Sequence, residues 1–207
     1  MGNIRNLKNF DRVLVVEGYS DLLFFAECLE RVGKHEVTFI QEFNGKEDLI
    51  AKLETFITPQ LLAEKAAIGI ITDANGDAAA TFQSIQTALT RVTNQTVPSP
   101  GVWTAGQPRI GVFVPPDNAN DGEIETLVWS AWRGANGNSA SVKCIETFIS
   151  CMQESGSTPQ SPDKGRISAL LAVRNDDDPR LGPGARARVF DLNCPEFSAL
   201  RDFLSQL

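Results

Sequence analysis

The sequence predicts an α/β fold: a mainly parallel sheet of about four strands, flanked by helices and followed by a helical C-terminal elaboration. Three observations predict it. Residues 12–16, 67–71 and 110–114 are short, almost wholly apolar runs rich in Val and Ile, as strands covered on both faces are. Longer stretches with apolar residues at helical spacing lie between them. The two kinds of segment alternate, which is the pattern of parallel strands joined by helical crossovers.

Each element has its own signal. Residues 12–16 read as the first strand, broken by Gly18. A helix then starts at Tyr19 or Ser20, with Leu22, Leu23, Phe25, Ala26 and Leu29 as its buried face. Residues 37–40 read as the second strand, Asn44-Gly45 as a turn and 48–56 as the second helix. The third strand, 67–71, leads through a loop at 72–77 into a helix at 78–92. A Pro- and Gly-rich stretch, 94–107, reads as a loop or hairpin, and the fourth strand, 110–114, ends at Pro115-Pro116. Helices follow at 123–133, 141–154 and 163–173, then a polar loop at 176–184 and a last helix near 196–204. The linker candidates, 134–138 and 156–162, are short. The reading is therefore a core over 1–130 and a mostly helical extension over 131–207 packed on it as a single domain.

The 207 residues are enough for such a unit. No apolar run approaches the roughly 20 residues of a membrane span. The N-terminus lacks a signal-peptide core, and the myristoylation pattern at Gly2 meets Asn6 where Ser or Thr is wanted. These features place the chain in the cytoplasm, with no membrane partner. The four cysteines, Cys28, Cys144, Cys151 and Cys194, form no Cys-x-x-Cys pair, which argues against a zinc ribbon. Cys144 and Cys151 are expected as buried thiols one heptad apart on a helix. The single histidine, His35, has no useful neighbours, so Ser-His-Asp and Cys-His triads are nearly excluded. The net charge of −7 does not suit a dedicated duplex-DNA binder, but carboxylate-built metal sites are compatible with it.

The informative residues are acids. In a parallel sheet the loops after the strands gather at the carboxyl edge, where ligands bind. Glu17 and Asp21 follow the first strand. Asp73, Asn75 and Asp77 follow the third. Asp117, Asn118, Asn120, Asp121, Glu123 and Glu125 follow the fourth. Carboxylates brought close repel one another and hold protons tightly unless a cation neutralises them. Oxygen ligands without His or Cys favour Mg²⁺, Mn²⁺ or Ca²⁺ over Zn²⁺. Each acid also has a plain structural alternative. Asp21 suits a helix cap, Asp73 and Asp77 a turn around Asn75-Gly76, and Glu123 and Glu125 a solvated first helical turn.

Val15-Val16-Glu17-Gly18-Tyr19-Ser20-Asp21 resembles the first motif of TOPRIM domains, above all the version in bacterial primases. Ile70-Ile71-Thr72-Asp73-Ala74-Asn75 resembles their second motif, a strand followed by Asp-x-Asp, with Asn75 in place of the second aspartate. The resemblance covers roughly residues 11–130 and implies a TOPRIM, Rossmann-like core. It implies that Glu17 is a general acid/base or a metal ligand and that Asp73 is the first metal-binding aspartate. Asp77 would be a stand-in for the charge absent at Asn75. Glu123 and Glu125 resemble the acidic pair of the overcoming-lysogenization-defect nucleases. Val112 to Leu127, Lys164 to Arg166 and Phe203-Leu204 also resemble a group of uncharacterised bacterial TOPRIM-like proteins. The implied metal set is Glu17, Asp21, Asp73, Asp77, Glu123 and Glu125, with Mg²⁺ or Mn²⁺ as cofactor.

Lys164, Arg166, Arg174, Arg180, Arg186 and Arg188 concentrate in the C-terminal quarter. They form either a phosphate-contacting patch or a solvated face paired with the acids at 176–178. Lys46, Lys164 and Arg166 are the candidate phosphate ligands. The expected function is Mg²⁺-dependent, nuclease-like phosphodiester chemistry on DNA or RNA. The alternative is a non-catalytic metal- or nucleotide-binding module that partners another protein. A homodimer is compatible with either.

Overall fold

Successive side chains of a strand point to opposite faces, so an all-apolar strand needs cover on both. The computed structural model, which describes residues 6–137, 139–157 and 161–207, meets that need for the three apolar strands, and a fourth strand at the sheet edge is half-buried. Strands β1 (Arg12–Val16), β2 (Thr38–Glu42), β3 (Ala67–Ile71) and β4 (Arg109–Phe113) form one sheet in the order β2-β1-β3-β4. All neighbours run parallel. Helices α1 (Tyr19–Arg31), α2 (Lys46–Phe56), α3 (Pro59–Glu64) and α4 (Ala78–Thr93) lie between strands. After β4 come α5 (Ile124–Asn136), α6 (Ala140–Glu154), α7 (Pro162–Arg174), α8 (Leu181–Arg186) and α9 (Ser198–Ser205).

The alternation within β1 divides the core. Val13 and Val15 join Ile68, Ile70, Ile110 and Val112 under α2, α3 and α4. Leu14 and Val16 join Ile71 and Phe113 on the other face, under α1, α5, α7, α8 and α9. The second cluster contains residues from both halves of the chain, so the C-terminal helices complete a face of the sheet.

One detail fixes how the far end is covered. Gly69 and Gly111 are register partners on β3 and β4. Their missing side chains leave a slot filled by the Trp103 indole, and a Cβ on Gly111 would stand 2.6 Å from that ring. Phe203 of α9 stacks on Trp103 with centroids 4.8 Å apart. Burying such a ring contributes about 1.5–3 kcal/mol. The stretch expected as a loop or hairpin is a loop that pairs with β4 at a single bridge, Trp103 with Gly111.

Several expectations shift. β2 begins and ends later than the sequence suggests, because His35–Val37 forms a 3-10 turn. α3, closed by a Thr58 cap and Pro59, is not anticipated. The expected polar loop at 176–184 is instead partly helical. Gly182 and Gly184, read as loop punctuation, let α8 lie against its neighbours. A Cβ on Gly182 would sit 2.2 Å from Leu23 Cβ on α1, and one on Gly184 2.4 Å from Leu171 on α7. Cys144 and Cys151 are exposed on α6 rather than buried. Helix α5 runs into the first expected linker, and Gly137 ends it. Residue 138 of that linker, residues 158–160 of the second and the N-terminal positions including Gly2 lie outside the described residues. Among the described residues no helix is long and apolar enough to cross a membrane.

Candidate functional site

Where neighbouring parallel strands send their chains to opposite faces, a crevice opens at the carboxyl edge. β1 leads to α1 on one face and β3 leads to α4 on the other, so the crevice lies between β1 and β3. Glu17 follows β1 directly, and Asp73 stands two residues after the end of β3. The Glu17 carboxylate reaches across. Its Oε1 accepts a hydrogen bond from the Asp73 backbone N–H at 2.8 Å and another from the Thr72 hydroxyl. Asp73 Oδ1 in turn accepts from the backbone N–H of Ile124, the first residue of α5, at 2.9 Å. Two carboxylates thus tie β1, the loop after β3 and the start of α5 together.

Two more acids enter from helix starts. Asp21 lies in the first turn of α1 and Glu125 in the first turn of α5, where unpaired backbone N–H groups favour negative charge. Glu123 is the N-cap residue of α5, its N–H donating to Thr126 Oγ1 at 3.2 Å.

The charges act on one another. Burial, then repulsion from Glu17, raises the Asp21 carboxyl to about 6. Burial raises Glu125 to about 7, with Glu123 and Asp21 adding to it and Lys164 opposing. Asp73 lies well above the usual carboxylate range through burial, then repulsion from Glu17, Glu125 and Asp21. Among the described residues, Lys164 of α7 is the cation that acts on all three acids. Its Nζ stands 3.4 Å from Glu123 Oε2. Burial opposes its charge, but Glu125 and Glu123 hold the ammonium protonated more firmly than usual.

The other candidates have different work. Asp77 is exposed and caps α4, its Oδ1 accepting from Ala80 N–H at 2.8 Å. Arg166 is paired with Glu146 at 2.9 Å and Asp163 at 2.7 Å. Lys46 comes to the same loop from the opposite face, donating to the Thr81 hydroxyl and, at 3.5 Å, to the Asp73 carbonyl. It braces the loop from behind. Asn75 takes a left-handed backbone (φ +54), which asparagine tolerates. Its N–H and C=O pair with Gly122 at 2.8 and 3.0 Å, joining the loops after β3 and β4. Asp121 accepts from Ala78 N–H at 2.9 Å at the start of α4, and Asp117 closes its own turn through Ala119 and Asn120. The structure therefore brings Glu17, Asp21, Asp73, Glu123, Glu125 and Lys164 together and leaves Asp77 and Arg166 apart. Thr72, which orients Glu17, was not singled out from sequence; its place at the mouth of a buried strand, just before Asp73, is the signal.

The donor set suits a hard divalent cation: oxygen only, mutually repelling, with Glu125 Oε2 buried and without a hydrogen-bond partner. Among the described residues no three Asp, Glu, His or Cys side chains yet converge as ready-made metal ligands, so a cation would draw these carboxylates inward.

Fold and site together define an α/β protein with an acidic crevice at the carboxyl edge of a parallel sheet. The chain belongs to the family described as protein of unknown function (DUF3226), whose profile matches residues 11–207. No curated protein and no solved structure matches it.

Proposed function

We propose that this protein is a Mg²⁺- or Mn²⁺-dependent, nuclease-like enzyme of TOPRIM type that acts on phosphodiester bonds of DNA or RNA. The observation that carries this reading is the crevice between β1 and β3, where Glu17 and Asp73 are linked and Asp21 and Glu125 join them. Glu17, Asp21, Asp73 and Glu125 would hold the cation. When bound, it would neutralise the cluster and polarise phosphate oxygens. The chain's own residues prepare the rest. Among the described residues Glu17 is anchored through Oε1, which leaves Oε2 for a ligand. Lys164 is half exposed beyond Glu123 and would meet an incoming phosphate as a point charge. The test is nicking of plasmid or single-stranded DNA with Mg²⁺ or Mn²⁺. Wild type is expected to cleave, and Glu17→Gln is expected to lose that activity. Equal activity in the two would sink the reading.

A second reading, a non-catalytic cation- or nucleotide-binding module that partners another protein, is favoured by Asn75. It stands where the resemblance wants an aspartate, and its backbone serves a loop bridge. Calorimetry with Mn²⁺ and nucleotides separates the two. Binding without cleavage supports the module, and no binding at millimolar cation removes both.

A further inference from the structure

Four of the seven basic residues of the C-terminal quarter are ion-paired: Lys164 with Glu123, Arg166 with Glu146 and Asp163, Arg180 with Asp178, and Arg186 with Glu27. Arg188 is not. It lines a cleft of about 420 Å³ whose other wall carries Arg31, the last residue of α1. Among the described residues neither guanidinium has an ion-pair or hydrogen-bond partner. Trp132 and Phe190 line the same cleft. Trp132 is held in place by stacking on Trp129, centroids 5.5 Å apart.

The cleft lies far from the carboxylates. α1 and α5 both start in the acidic cluster and end at the cleft, and 13 residues each separate the two by roughly 20 Å. The backbone adds a second, independent observation. Arg188 follows the C-cap of α8 with φ +61, and Val189 N–H closes back on the Gly184 carbonyl at 3.0 Å. Glycine normally fills that left-handed position. An arginine kept there against strain, beside a cavity, is the kind of outlier that marks a ligand site.

We propose that this cleft binds a small organic anion bearing a planar ring, a nucleoside monophosphate being the fitting case. Arg31 and Arg188 take the phosphate, as paired guanidiniums do. Trp132 and Phe190 offer the ring an apolar wall. Asp191 also lines the cleft, with Oδ1 occupied by the Asn193 N–H at 2.9 Å. Its other oxygen accepts from a hydroxyl or amino group on the ligand. Glu27 is engaged by Arg186; Glu27 and Glu30 line the adjoining groove, which Arg31 and Arg188 also border, so the two arginines stand between the acids and the cleft. The volume suits a small molecule, for which pockets of about 300–1,000 Å³ are usual. The site stands apart from the reaction proposed for the carboxylate cluster.

The experiment is calorimetric and tryptophan-fluorescence titration of the full chain in EDTA with adenosine 5′-monophosphate, adenosine and inorganic phosphate. The monophosphate is expected to bind below about 1 mM and to change the fluorescence, more tightly than either fragment. Arg31→Ala and Arg188→Gly are each expected to weaken it at least about tenfold. Arg188→Gly should also raise the melting temperature by about 2–4 °C, because glycine relieves the left-handed backbone. That rise shows the variant folded. The proposal is overturned if the monophosphate fails to bind, if phosphate or adenosine alone binds as tightly, or if both folded variants keep wild-type affinity.

Discussion

At the scale of single residues, the acidic cluster sets a pH dependence with a definite sign. Asp21 and Glu125 hold their protons more tightly in the folded chain, at about 6 and about 7, than their ordinary values of 3.8 and 4.5. Between those values the folded state binds more protons than the unfolded one, so stability falls as pH rises through them. In EDTA the protein is therefore expected to be more stable in urea at about pH 5 than at about pH 8. Glu125→Gln keeps the shape and removes the charge. It is expected to flatten that profile and to gain on the order of 2–3 kcal/mol at about pH 8. An unchanged profile would show that Glu125 is not a destabilised acid. Glu17→Gln is different, because an amide oxygen still accepts from Thr72 and the Asp73 N–H. It should melt within about 1 kcal/mol of wild type, while Mn²⁺, which is expected to raise the wild-type melting temperature, should do so less in the variant.

At the scale of elements, β1, β3 and β4 were legible because each is a short apolar run buried on both faces, a pattern that does not depend on distant partners, whereas β2, half-buried and carrying Gln41 and Glu42, was read with shifted ends. Of the helices between them, α1, α2 and α4 followed from periodicity, and the six-residue α3 was too short to show one. What could not be read was anything decided by close approach. Gly182 and Gly184 carry loop signals locally, and only the presence of Leu23 and Leu171 explains why a helix forms there. Gly182→Ala is expected to push α8 off α1 and to cost about 1–3 kcal/mol in urea denaturation. A neutral result would mean that the two helices do not touch through that glycine. The site was legible to the same extent. Glu17, Asp21, Asp73 and Glu125 fall at strand ends and helix starts, which topology collects. Asp77 and Arg166 share the same local signals, yet the α4 cap and the pair Glu146 and Asp163 engage them. Cys144 and Cys151 fit a buried heptad, but α6 turns that side to solvent.

At the scale of the molecule, one face of the sheet is finished by residues far along the chain. Ile167, Leu170, Phe197, Leu200 and Phe203 lie in the same core as Leu14 and Phe24. A chain cut after residue 130 would leave that face open to water. It is expected to lose cooperative unfolding and to aggregate, read by calorimetry and light scattering. Soluble, cooperative folding of residues 1–130 alone would show instead that the helical extension is a separable addition. Lys164 gives the extension a second role, because α7 brings a cation that acts on all three raised acids of the crevice.

The Trp103 slot has a consequence for the history of the family. Gly69, Gly111 and Trp103 occupy one volume, and a Cβ on Gly111 alone would collide with the indole and with Phe203. These positions cannot drift one at a time. A relative with a larger residue at either glycine is expected to carry a smaller side chain in place of Trp103 or Phe203, so the four columns of an alignment should vary together.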